Sequence, residues 1–137
     1  MIVVDTNVLS ETSRKRPHSI VVEWLARHRS QLWVPAVVLA ELCYGVEKLP
    51  RSRQRADLES WLADLRLSFE DHLLPFEEKA AEAHGRLRGR LKRLGKPMNA
   101  PDSYVAATAL SLGIPVATRN ISDFQHAQVK LIDPWSD

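Results

Sequence analysis

The chain opens with Met1-Ile2-Val3-Val4-Asp5-Thr6-Asn7, and this stretch decides the fold. Its short apolar run is rich in β-branched residues, which favours a buried strand. Thr6 and Asn7 suit the start of a helix, because their side chains accept hydrogen bonds from the first free amides. Asp5 is therefore predicted at the carboxyl end of a strand, the edge at which open parallel sheets bind ligands.

A second acid occupies a matching position. Pro115-Val116-Ala117-Thr118 is typical of another short buried strand, and Arg119-Asn120-Ile121-Ser122-Asp123-Phe124 is predicted to be the loop that leaves its carboxyl end. Asp123 and Asp5 are thus expected to meet at one edge of the sheet.

Asp102 follows Pro101 at the start of a predicted Ala-rich helix that Gly113 and Pro115 end. Proline suits the first helical position, and the helix dipole favours a carboxylate in the first turn. Asp102 is therefore either a ligand or simply a residue that caps the helix.

Glu41 lies within a predicted helix at 36–48, where Val37, Val38 and Gly45 share its face. A carboxylate in an apolar setting is costly unless it is paired, hydrogen-bonded or bound to a metal. Glu41 is thus either a ligand or half of an ion pair with an arginine.

Together these acids predict one pocket that binds a metal ion, with carboxylate oxygens as the ligands that Mg²⁺ prefers. Neighbouring polar side chains are candidates for orienting the carboxylates or metal-bound water. They can equally serve only as helix caps or turn residues. These candidates are Thr6, Asn7, Thr118 and Asn120.

Length and composition fit one domain over residues 1–137, with 45% hydrophobic residues and a lone cysteine, Cys43, expected to pack as a small apolar side chain. No stretch has the pattern of a signal peptide, and no apolar run is long enough for a membrane helix. These features favour a soluble, cytoplasmic protein with no membrane partner.

The net charge of +2 conceals a larger basic surplus. Without the four candidate acids, 13 acidic residues stand against 19 basic ones, a surplus of six. The basic residues cluster at 14–16, 51–55 and 86–96. Such clusters around an acidic pocket would hold a polyanion, although the arginines of the predicted helix at 77–94 also suit a solvated face.

Short apolar strands alternating with helices predict an α/β fold with a parallel sheet covered on both faces. The predicted strands are 2–4, 32–34, 72–75, 115–117 and 129–132. The predicted helices are 7–14, 18–28, 36–48, 53–69 and 77–94, followed by the helix that begins near Asp102.

Four blocks of the sequence resemble, in order and spacing, those of PIN-domain ribonucleases, and in particular the FitB-like subgroup of VapC-type toxins. The blocks are Met1 to Glu11, Ala40 to Glu47, Asp102 to Ala107 and Thr118 to Phe124. The resemblance implies a three-layer α/β/α domain whose central, mainly parallel sheet has about five strands. It also implies an acidic quartet that binds Mg²⁺ or Mn²⁺, with Asp5 and Asp102 as direct ligands and Glu41 and Asp123 binding directly or through water.

The activity that the resemblance implies is metal-assisted hydrolysis of RNA by water, in a toxin held in check by a VapB-like antitoxin. Homodimers and toxin–antitoxin hetero-oligomers are expected. Two other functions stay open. One is a non-catalytic interaction protein with the same fold. The other is a receiver-type signalling domain, which also gathers acids at a sheet edge, although Arg119 stands where such domains place a lysine.

Overall fold

A parallel sheet of five strands forms the centre of the computed structural model, which describes residues 1–136. The strands are β1 (Ile2–Val4), β2 (Leu32–Pro35), β3 (Leu73–Leu74), β4 (Val116–Ala117) and β5 (Leu131–Ile132), in the spatial order β3-β2-β1-β4-β5. Every neighbouring pair is parallel, so the predicted fold class is confirmed.

In the described part of the chain, seven α-helices connect the strands: α1 (Thr6–Ser10), α2 (Ser19–His28), α3 (Ala36–Glu47), α4 (Arg53–Ser68), α5 (Glu78–Leu94), α6 (Ala100–Leu112) and α7 (Ile121–Phe124). Over residues 1–136, no helix combines the length and the apolar character that crossing a membrane requires. Helix α4 begins where the Ser52 hydroxyl accepts a hydrogen bond from the Arg55 amide, 3.1 Å away. Helices α5 and α6 end at Gly95 and Gly113, both with φ of +66°.

Central strand β1 is buried on both faces of the sheet. Val3 and Val4 point to opposite faces, and both are fully buried, as are Trp24 of α2 and Phe124 of α7. Helices therefore cover both faces, as the near-continuous apolar character of β1 predicted.

The order of the strands reverses between β1 and β4. From β1 the chain builds outward to β2 and β3 on one side, whereas β4 and β5 lie on the other. In open α/β sheets the crevice at this reversal is the usual ligand site. Asp5 directly follows β1 and Thr118 directly follows β4, so both residues lie at this crevice.

Two sequence predictions about the last third of the chain are wrong. Residues 119–124 are not wholly a loop, because 121–124 form α7, whose turn brings Phe124 back into the core. The last strand spans only Leu131–Ile132, since its partner β4 is itself two residues long.

Substitution by alanine is expected to have opposite effects at the glycine that ends α6 and at a glycine inside α5. Gly113→Ala is expected to destabilise the protein by about 1–2 kcal/mol, because alanine resists a left-handed backbone although the space beside it is open. Gly85→Ala, at an exposed position within α5, is expected to stabilise the protein by up to about 1 kcal/mol. Urea unfolding of both variants tests this, and equal effects would contradict it.

Candidate functional site

The Asp5 carboxylate is buried at the end of β1 and accepts three hydrogen bonds. Its Oδ1 accepts from the Thr6 amide at 2.8 Å. Its Oδ2 accepts from the Thr118 hydroxyl at 2.8 Å and from the Asn7 side-chain amide at 3.2 Å. Because Thr118 follows β4, the side chain of Asp5 joins the ends of two neighbouring strands.

Asn7 and Thr118 also contact each other, which fixes the network further. The Asn7 side-chain nitrogen lies 3.3 Å from the Thr118 hydroxyl oxygen, and the Asn7 side-chain oxygen accepts from the Arg119 backbone amide at 3.1 Å. Asn120 takes part through its backbone amide, which donates to the Thr118 hydroxyl at 3.0 Å. The structure therefore brings Asn7 and Thr118 to Asp5 by their side chains, and Asn120 by its backbone.

Glu41 contacts this network through Thr6. The Thr6 hydroxyl donates to Oε1 of Glu41 at 2.8 Å. Glu41 is half-buried, and the neighbouring Tyr44 is 68% exposed, so this face is more exposed to solvent than the sequence predicted. Of the two alternatives for Glu41, the ion pair with an arginine is not formed among the described residues, and the Thr6 hydroxyl is its partner.

Asp102 is buried in the first turn of α6, where Asn99 holds it on two sides. The Asn99 side-chain oxygen accepts from the Asp102 backbone amide at 2.9 Å, and the Asn99 side-chain nitrogen donates to Oδ2 of Asp102 at 2.8 Å. Sequence reasoning missed Asn99. The available indication was an asparagine three residues before an acid at a helix start, the spacing of a reciprocal cap.

Asp123 lies in α7 with its side chain exposed to solvent. Its negative charge nevertheless raises the pKa of Asp102. The structure thus places two of the predicted acids, Asp5 and Asp102, in buried positions and leaves Glu41 and Asp123 at the rim.

Burial and mutual repulsion both act on the two inner carboxyls. Burial raises the pKa of Asp5, against the lowering effect of its hydrogen bonds, and the charge of Glu41 raises it further. Burial also raises the pKa of Asp102, which the hydrogen bond from Asn99 lowers and the charges of Asp5 and Asp123 raise. The four acids therefore belong to one electrostatic site, in which ionisation of each inner carboxyl is opposed.

The oxygen donors of this site suit a hard divalent cation. Fewer than four of the carboxylates would bind it directly. Within residues 1–136, no three His, Cys, Asp or Glu side chains form a group that would enclose an ion. Mg²⁺ commonly takes only one or two protein carboxylates and keeps several waters. The two buried carboxylates, Asp5 and Asp102, are the residues of this site that could hold such an ion.

Other charged groups near the sheet edge have structural partners. The guanidinium of Arg119 lies 5.0 Å from the centre of the Trp135 ring, which is a cation–π contact. Glu11, which sequence reasoning did not single out, is buried and accepts from the His18 amide at 2.9 Å. This bond lowers the pKa of Glu11 and closes the loop before α2.

Comparisons with known proteins agree with this fold. Residues 2–130 match the family model described as PIN domain. The chain is 37% identical to Toxin FitB of Neisseria gonorrhoeae, with 100% of both chains covered. It is 34% identical to VapC ribonuclease Y4jK of Sinorhizobium fredii, with 98% of each covered. The crystal structure of FitAcB from Neisseria gonorrhoeae superposes with a TM-score of 0.91 at 36% identity, covering 98% of this chain and 99% of that one.

The raised pKa of Asp102 predicts a stabilising substitution in metal-free protein. A folded-state carboxyl pKa above the unfolded value favours folding only below the unfolded pKa, and this contribution is lost as pH rises through the folded pKa. At pH 7, Asp102→Asn should therefore raise Tm by about 2–4 °C in the presence of chelator. Near pH 3, where the wild-type carboxyl is neutral in both states, the difference should vanish.

Thermal unfolding at both pH values measures this difference. Asp71→Asn, at an exposed turn, is the matched control and should leave Tm unchanged at either pH. A lower Tm for Asp102→Asn at pH 7 would contradict a pKa raised by burial and by neighbouring charges.

Proposed function

This chain belongs to the PIN-domain family, among the VapC-type ribonuclease toxins that include FitB, and on that basis we propose that it hydrolyses RNA phosphodiesters with the help of Mg²⁺ or Mn²⁺. The observation that best supports this proposal is the pair of buried carboxylates, Asp5 and Asp102, each with a raised pKa. Ionised carboxylates in such a setting are costly without a compensating cation. A cation bound at this site would offset that cost.

Asp5 and Asp102 would hold the ion directly. When bound, the ion lowers the pKa of a water molecule and offsets the negative charge that develops on the phosphate oxygens. Thr118 and Asn7 keep Oδ2 of Asp5 in one orientation, and Asn99 does the same for Asp102. Such supporting hydrogen bonds reduce the reorganisation that the site needs during the reaction.

Glu41 is the better candidate for the group that accepts the proton of the attacking water. Thr6 binds Oε1 of Glu41 and fixes the carboxylate, which leaves Oε2 to accept a proton. Asp123, on exposed α7, has no comparable hydrogen bond to orient it within the described chain. Attack of water on phosphorus with departure of the 3′ oxygen leaves a 5′-phosphate and a 3′-hydroxyl.

The partners follow from membership of a toxin family. We propose that a VapB-like antitoxin covers the acidic groove and places a basic side chain against the acids. The homodimer proposed for this chain would use apolar side chains that are exposed on neighbouring helices, such as Tyr44 of α3 and Leu67 of α4, which are 68% and 69% exposed. The same residues, 1–137, would form a single PIN domain.

Of the two alternative functions, the strand order excludes one and leaves the other to be tested. Receiver-type domains have the strand order 2-1-3-4-5, whereas this sheet has the order β3-β2-β1-β4-β5, so the signalling hypothesis is wrong. A non-catalytic interaction protein would keep the fold without needing the acids, and activity measurements separate it from a nuclease.

Cleavage of mixed RNA by purified, antitoxin-free protein should require Mg²⁺ or Mn²⁺ and should cease with chelator. Asp5→Asn and Asp102→Asn should each lower the rate by about 100-fold or more, the scale on which lost transition-state stabilisation acts. Asp71→Asn is the control and should cut at the wild-type rate. Cutting that survives both site substitutions would overturn the proposal and favour the non-catalytic alternative.

The buried hydroxyl of Thr118 is expected to matter because it donates to Asp5 and accepts from Asn7 and Asn120. Thr118→Val removes the bond to Oδ2 of Asp5 and is expected to reduce metal affinity or kcat by about 10–100-fold. Thr118→Ser keeps the hydroxyl and should restore most of the activity. A Mg²⁺ titration of the cleavage rate measures the effect, and equal activity in the two variants would refute it.

A further inference from the structure

A cavity of about 330 Å³ opens beside the acids, between the loop at 95–99 and the segment at 122–126. We call it the loop cavity, and the residues that line it include Lys96, Met98, Asn99, Asp123, Gln125 and His126. Its volume lies at the lower end of the range of small-ligand pockets, about 300–1,000 Å³. The cavity is therefore large enough for one nucleotide rather than for a protein segment.

The loop cavity shares two residues with the acidic site. Asn99 lines the cavity and also donates to Oδ2 of Asp102 at 2.8 Å. Asp123 lines it from the other wall, and its charge raises the pKa of Asp102. A group bound in the cavity is thus separated from the Asp102 carboxylate by the single side chain of Asn99.

Both walls of the cavity are anchored to the rest of the fold. On one wall, Gly95 has a φ of +66° and its amide donates to the Lys92 carbonyl, while the Lys96 amide donates to the Leu91 carbonyl at 2.9 Å. On the other wall, Phe124 is fully buried, and Arg90 of α5 donates to the His126 carbonyl at 3.0 Å. The cavity is therefore formed before any ligand binds.

The lining combines the groups that single-stranded nucleic acid uses. The Gln125 amide can donate and accept at the edge of a base, and the half-buried Met98 offers an apolar surface to its face. Lys96 supplies an ammonium for a phosphate. Because these three functions surround one space next to the acids, we propose that the loop cavity binds one nucleotide of the RNA strand, adjacent to the phosphodiester that is cut.

This inference rests on the proposed nuclease function, and it assigns to Gln125 the selection of one base beside the cut. Gln125→Met keeps the length of the side chain but removes its hydrogen-bonding groups. The variant should lose about fivefold of the discrimination among bases at one position beside the cut, the scale of one net hydrogen bond. Sequencing the ends produced from a randomised RNA measures this preference, with the exposed Gln31→Met as the matched control.

A binding measurement without catalysis provides the second test. With chelator present, the affinity of the full-length chain for a random single-stranded RNA decamer should fall several-fold in Lys96→Gln. The slope of log affinity against log salt should decrease by about 0.7, as expected for one lost phosphate contact on a single strand. Lys79→Gln, an equal change of charge at the far end of α5, should bind as the wild type does.

The two tests separate failure of this inference from failure of the proposed function. Wild-type cutting, with Gln125→Met and Lys96→Gln indistinguishable from their controls, would overturn the nucleotide site and leave the nuclease standing. RNA binding that weakens only in Lys96→Gln, without any cutting, would overturn the nuclease and support the site. If the wild type neither cuts nor binds RNA, both are wrong.

Discussion

Burial of the Asp5 carboxylate is the constraint on which the rest of the site depends. An ionised group at the end of a buried strand requires partners, and Asp5 obtains them from Thr6, Asn7 and Thr118. Thr118 is brought to it only because β4 pairs beside β1 in parallel register. The sheet topology and the charge are therefore mutually dependent: the strand order supplies the hydroxyl, and the hydroxyl makes the buried acid tolerable.

The acidic site lowers the stability of the folded chain. Burial and neighbouring charges raise the pKa of both Asp5 and Asp102, so a folded chain without a cation keeps carboxylates where they are disfavoured. Hydrogen bonds from Thr118 and Asn99 relieve part of this cost without removing the repulsion. Proteins commonly accept such a loss of stability at sites whose geometry serves binding or catalysis. Membership of a ribonuclease toxin family is consistent with that balance.

Much of this arrangement can be predicted from the sequence, because local patterns carry it. The apolar run at 2–4 indicates a strand, and a helix start after it places Asp5 at the sheet edge. The role of Asn99 is harder to predict, since it depends on a side chain turning back on Asp102 rather than on periodicity. The half-exposed state of Glu41 depends on what packs against α3, which no residue within that helix reveals.

The short outer strands of the sheet affect how readily another molecule can pair with its edges. Strands β3 and β5 form the two edges, and each contains only two residues. A short edge presents few unpaired backbone groups, so it is a poor template on which another molecule could add a strand. The short edge strands therefore limit strand-by-strand assembly of several copies of the chain into fibrous aggregates.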